Sequence, residues 1–206
     1  MNTQEKNSEK KTFKIKPETY VVLFSGGLDS TYALWYCVAK TDNPVHTHHV
    51  IIRNDVSKRW KEEREACRDI VDYLQKNYRD FDYSESGFDF FNFRNVNWDV
   101  DIALIAGIMV ARNIMGLKRI VSGPTKSDLD RNPHIPSDIL KSAIMPKDCI
   151  YEEGFRPGIT KTKKEIYDEM PKELSKLAWS CRHPNNGKPC GECKACRLRI
   201  EEGIPL

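Results

Sequence analysis

The chain has 206 residues, with 33 Lys or Arg against 30 Asp or Glu for a net charge of +3, and it is 39% hydrophobic and 10% aromatic. That composition supports a packed core and excludes a disordered chain, while the even charge balance argues against a dedicated nucleic-acid binder. The length fits one domain plus an appendage, since domains run to roughly 100–200 residues.

Residues 1–17, polar and lysine-rich with no apolar run, read as a solvated tail rather than a secretory signal. No stretch approaches the roughly 18 apolar residues of a membrane span. A cytoplasmic protein with reduced thiols is expected, so its seven cysteines must be core residues, metal ligands or nucleophiles.

Tyr20 to Phe24 reads as a buried strand and Thr31 to Lys40 as the helix after it. A second strand is expected over 46–53, then a helix whose inner face carries Trp60, Cys67, Val71, Leu74 and Tyr78. A third strand falls within 80–93. Asp99 to Met115, apolar almost all round, reads as a helix buried on a sheet and ended by Gly116. A fourth strand is expected at 118–123. This alternation predicts a parallel α/β sheet covered on both faces, with ligands beyond the carboxyl ends of its strands. After residue 150, Thr162 and Glu165 have the spacing of a capping box.

Between the first strand and helix lies Ser25-Gly26-Gly27-Leu28-Asp29-Ser30. The first turn of a helix presents unpartnered N–H groups and a positive dipole end. Gly26 and Gly27 permit close approach of an anion, Ser25 and Ser30 add hydroxyl donors, and Asp29 can cap the helix or hold magnesium beside phosphates. The stretch lacks the Gly-Lys-Ser/Thr ending of a Walker A loop and is not the dinucleotide fingerprint G-x-G-x-x-G.

Cys181, Cys190, Cys193 and Cys196 have the spacing C-x8-C-x2-C-x2-C, which suits a closed, structural tetrahedral zinc site, with an iron–sulfur cluster as the chemical rival. His183 lies beside this set and is read as outside it. Cys37 and Cys67 read as core residues, and Cys149 stays ambiguous.

The loop closely resembles the PP-loop of the N-type ATP pyrophosphatases. Together with the W-S-C-x8-C-G-x-C-x2-C-x-x-R pattern of the C-terminus, it resembles the 7-cyano-7-deazaguanine synthase family within that superfamily, as a divergent member. The resemblance covers about residues 20–200 and is strongest at its two ends, at "IVSGP" and at "KTKKEI". It implies a Rossmann-like fold of the PP-loop type: an ATP-binding α/β domain over 18–150 and a C-terminal helical and zinc-binding region over 151–206. It implies ATP binding by Phe24, Ser25, Gly26, Gly27, Leu28, Asp29, Ser30 and Thr31 with Leu34 behind, and zinc on the four cysteines. Ser25, Asp29, Ser30, Asp128 and Lys161 are the expected catalytic residues, and Lys163 shares the lysine-rich segment with Lys161.

The implied reaction converts 7-carboxy-7-deazaguanine and ammonia to the nitrile through an adenylated carboxylate, with ATP and magnesium. Its partners are these small molecules rather than membrane or nucleic acid, and a homodimer is left open. The substrate-facing segments depart from the family at 54–57, 98–101 and 132–136, where charged residues are replaced. Losing a charged partner from a desolvated site typically costs about 1–3 kcal/mol or more. A PP-loop ligase on another carboxylate, or a non-catalytic ATP-binding module, is therefore the alternative.

Overall fold

A computed structural model describes residues 18–54, 59–91, 99–126, 146–150 and 157–206. The expected tail, Asp128 and the departing positions 55–57, 98 and 132–136 lie outside the described residues.

The described strands are β1 (Thr19–Phe24), β2 (Val45–Asn54), β3 (Asp82–Phe90), β4 (Lys118–Val121) and β5 (Cys149–Ile150). They form one sheet in the order β3-β2-β1-β4-β5, and every pairing is parallel. The helices between them are α1 (Leu28–Lys40), α2 (Trp60–Asn77) and α3 (Asp99–Ala111); α4 (Lys163–Glu169), α5 (Lys172–Leu177) and α6 (Lys194–Glu201) follow. This is an α/β, Rossmann-like arrangement.

Alternation along β1 divides the core. Tyr20, Val22 and Phe24 pack with α1 and α2, whereas Val21 and Leu23 pack with Leu104, Ile108 and Ala111 of α3. Helices thus cover both faces, and β1 reads as a near-continuous apolar run because neither of its faces meets water. The buried stripe of α2 is Ala66, Cys67, Ile70, Val71 and Leu74; Tyr78, expected on it, is 41% exposed and accepts a hydrogen bond from Trp35 Nε1 at 3.1 Å. Cys37 and Cys67 are fully buried, as their apolar settings predict.

The helix expected to reach Met115 stops at Ala111. Asn113 is the reason: its side chain donates to the Met109 carbonyl while its N–H tightens onto Val110. The helix packs on the sheet as expected through Leu104, Ile108 and Ala111, while Ile105 and Met109 on its other side are 38% and 54% exposed. No helix among the described residues is long and apolar enough to cross a membrane.

The order 3-2-1-4-5 puts a topological switch point between β1 and β4, where the chain leaves the two strands in opposite directions. A crevice forms at such a point, beyond the strand ends. The glycine loop follows β1 directly, and Ser122-Gly123 follows β4.

Candidate active site and metal centre

The loop is knitted by its own serines. Ser30 Oγ accepts from the Ser25 N–H at 3.2 Å and donates to the Gly27 carbonyl at 3.1 Å, and the two hydroxyls lie 3.0 Å apart. Gly26 has φ +70°, and a Cβ there would stand 2.9 Å from Cys67 Sγ and 3.1 Å from the Glu63 carbonyl. Both the backbone region and the space therefore require glycine. Gly123 closes the other wall, where an added Cβ would lie 2.6 Å from the Asp29 carbonyl oxygen.

No side chain caps α1. Its N-cap is Gly27, and the Gly27 N–H meets Ser25 Oγ only at 3.4 Å. Asp29, one of whose expected uses was capping, instead forms an ion pair with Lys163. Lys163 is 8% exposed and begins α4, a position where the helix dipole opposes a cation. The expected capping box holds that helix start: Thr162 Oγ1 accepts from the Glu165 N–H at 3.2 Å, and Glu165 Oε2 accepts from the Thr162 N–H at 2.7 Å.

Ser25 is exposed and Gly27 and Asp29 half-buried, so these three form the open side of the loop. Phe24, Leu28, Ser30, Thr31 and Leu34 are buried behind it. Lys161 stands apart from the Asp29 pair, with its Nζ 2.8 Å from Glu169 Oε2, an oxygen that also accepts from the Tyr32 hydroxyl at 2.9 Å. The Glu169 carboxyl sits below the usual range: burial opposes this, but the bonds from Lys161 and Tyr32 outweigh it. The lysine that reaches the loop is Lys163.

In the C-terminal segment, the four cysteine Sγ atoms lie within 4.8 Å of one another. Tetrahedral zinc with Zn–S bonds of about 2.3 Å requires S–S edges of about 3.8 Å, so a small contraction admits the ion. Three backbone N–H groups already donate to sulfur, from Cys193 to Cys190 Sγ and from Cys190 to Cys181 Sγ, both at 3.3 Å, and from Arg182 to Cys193 Sγ at 3.5 Å. Gly191 supplies the turn with φ +77°. The Cys193 thiol is drawn below its ordinary value, burial notwithstanding, by N–H groups at Arg182 and Cys196. Such a donor set fits zinc held for structure.

Two residues outside the expected set tie this centre to the loop. The Trp179 N–H donates to the Gly26 carbonyl at 2.8 Å, and its indole Nε1 donates to the Cys181 carbonyl at 2.9 Å. Arg199 of α6, 7% exposed, donates from Nη1 to the Ala178 carbonyl at 3.1 Å. Both lie in the W-S-C…C-x-x-R pattern, whose spacing flags them without saying what they touch.

No family model matches the chain. The chain is similar to a 7-cyano-7-deazaguanine synthase of Shouchella clausii (strain KSM-K16), at 26% identity over 218 residues, covering 90% of this chain and 93% of that protein. The similarity to that synthase spans nearly the whole of both chains.

Proposed function

We propose that this protein is an ATP-dependent carbon–nitrogen ligase that converts 7-carboxy-7-deazaguanine and ammonia to 7-cyano-7-deazaguanine, using a PP-loop site at the switch point. The observation that carries the reading is an uncapped helix N-terminus at the end of β1, whose first turn carries one acidic residue, Asp29, that is paired with Lys163. Such a terminus suits a polyphosphate. The resemblance of the loop, the four-cysteine centre and the full-length relative support it.

In this reading the backbone amides at the start of α1 and the Ser25 hydroxyl hold the β and γ phosphates of ATP. A carboxylate oxygen of the acid attacks the α phosphorus, and pyrophosphate leaves into these donors. Donors fixed before reaction stabilise charge as it develops at no cost of reorganisation. Lys163 stands beside the loop as the cation that balances both Asp29 and the departing charge. Ammonia then attacks the acyl carbon, AMP leaves with the carboxylate oxygen, and an amide forms. A second activation of the amide oxygen by ATP, followed by loss of AMP and a proton, gives the nitrile. Magnesium supplies charge neutralisation on the phosphates, and zinc at the four cysteines holds the C-terminal segment.

The deciding experiment incubates the protein with ATP, ammonia and 7-carboxy-7-deazaguanine, and follows AMP, pyrophosphate and product mass. Two AMP per nitrile are expected. AMP release with a different carboxylate alone would reassign the substrate, and no AMP with any acid would leave a nucleotide-binding module.

A further inference from the structure

We infer that Arg199 is a positioning residue that couples the four-cysteine centre to the glycine loop, so that metal occupancy and nucleotide affinity are linked. This rests on the nucleotide-binding reading above.

Arg199 lies three residues after Cys196 on α6, so the two side chains share a face of the helix. Among the described residues no carboxylate lies within 4.0 Å of its guanidinium, and its buried Nε makes no hydrogen bond. Its bond within the protein is the one from Nη1 to the Ala178 carbonyl. A buried guanidinium with so few partners is costly unless nearby negative charge compensates. Four thiolates around a divalent cation carry a net charge of −2, and Cys196 is one of them. Burial pulls the Arg199 guanidinium down, whereas Tyr167, Cys196 and Asp29 favour its charge.

The mechanical path is short. Arg199 holds the carbonyl of Ala178; the next residue, Trp179, holds the Gly26 carbonyl through its N–H and the Cys181 carbonyl through its indole. A cavity of about 150 Å³ lies against this segment, lined by Trp179, Cys181, Pro189, Arg199 and Leu206 among others. The peptide between Gly26 and Gly27 is planar and trans, so its C=O and N–H point in opposite directions. Fixing the Gly26 carbonyl on Trp179 thus aims the Gly27 N–H, the amide at the mouth of α1. Gly26, at φ +70°, has no side chain to resist a flip of that peptide. Its orientation depends on Trp179, and that of Trp179 on Arg199 and the metal ligand Cys181.

Linkage makes the coupling measurable from either end, because ATP must tighten zinc by the same factor by which zinc tightens ATP. The test titrates zinc-loaded full-length protein with a competing chelator, with and without saturating ATP, and determines ATP affinity by calorimetry. In the wild type, ATP is expected to raise zinc affinity on the order of tenfold, within the range usual for coupled sites. In Arg199→Met the gain should fall to within about twofold while zinc remains bound, and Arg199→Lys, which keeps the charge and a donor, should recover part of it. A residue that merely supports the fold would lower melting temperature without changing the gain. ATP binding to the wild type with no change in zinc affinity overturns the inference alone, as does a full gain in Arg199→Met. Should that variant not fold, the wild-type titration decides. Failure of ATP to bind at all overturns this inference together with the nucleotide reading.

Discussion

The Lys163 ammonium lies against the Asp29 carboxylate, joining residues 134 positions apart at the mouth of the glycine loop. With Lys163 at 10% and Asp29 at 29% side-chain exposure, the contact is shielded enough to matter and open enough to be rearranged by a ligand. Removing either partner takes this contact from a charge that is largely shielded from water. Asp29→Ala and Lys163→Met should each lower stability by about 1–3 kcal/mol, whereas Asp29→Ala combined with Lys163→Met should lose less than the two single changes summed. All three should abolish AMP formation. Urea unfolding of the set, beside AMP release, checks the pair; strictly additive losses would mean that the contact contributes nothing.

Gly26→Ala introduces both a disfavoured backbone region and a close approach to Cys67. The expected cost is about 2–3 kcal/mol, the sum of roughly 1–2 for the left-handed conformation and the remainder for crowding. Combining it with Cys67→Ala should recover only the part of the crowding owed to the sulfur, because the left-handed conformation remains and the Glu63 carbonyl still stands 3.1 Å from the new Cβ. Thermal melts of the single and double variants separate the two contributions. Full recovery in the double variant would assign the whole cost to the sulfur.

Cys190→Ser should release zinc and lower the melting temperature, since a structural metal contributes folding free energy directly. Metal analysis of the purified variant, run beside a calorimetric scan, tests this. Zinc content equal to the wild type would remove Cys190 from the ligand set.

His48 sits under α3 with Nδ1 2.7 Å from Ser84 Oγ and Nε2 2.9 Å from Ser86 Oγ, beside His46. Burial, reinforced by His46 and His49, lowers its pKa to about 4. An unfolded histidine titrates near 6.5, so the unfolded chain takes up the proton first and stability falls as pH drops from about 6.5 toward 4. Between pH 7 and 5 the loss from His48 is about 2 kcal/mol. Burial also lowers His46 and His49, which add in the same direction. Urea midpoints at the two pH values should converge by that amount in His48→Gln relative to the wild type.

Much of this was legible in the residues themselves. Tyr20–Phe24 announces a central strand because it is apolar on both faces, 46–53 is marked as a strand by its β-branched Val50-Ile51-Ile52 run, and Thr162 with Glu165 announces a helix start because the capping pattern is local. The end of α3 was not legible: an apolar stretch gives no reason to stop until the Asn113 amide competes for a carbonyl. The choice between Lys161 and Lys163 was hidden for another reason. Two residues apart on one lysine-rich segment, they differ only in which carboxylate the fold brings near, Glu169 for the first and Asp29 for the second. Trp179 and Arg199 stood in a visible pattern, but their contacts are tertiary and no spacing encodes them. Asp128 and the altered positions 132–136 lie outside the described residues.

The fit of Gly123 against the Asp29 carbonyl has a mechanical consequence. With no room for even a methyl group between the end of β4 and the first turn of α1, the floor of the crevice cannot spread or pinch without sliding a whole helix along the sheet. It behaves as an anvil rather than a jaw. Under the proposed reading, tolerance for acids of different shape would have to come from the rim, while the end assigned to the nucleotide stays the same for all of them.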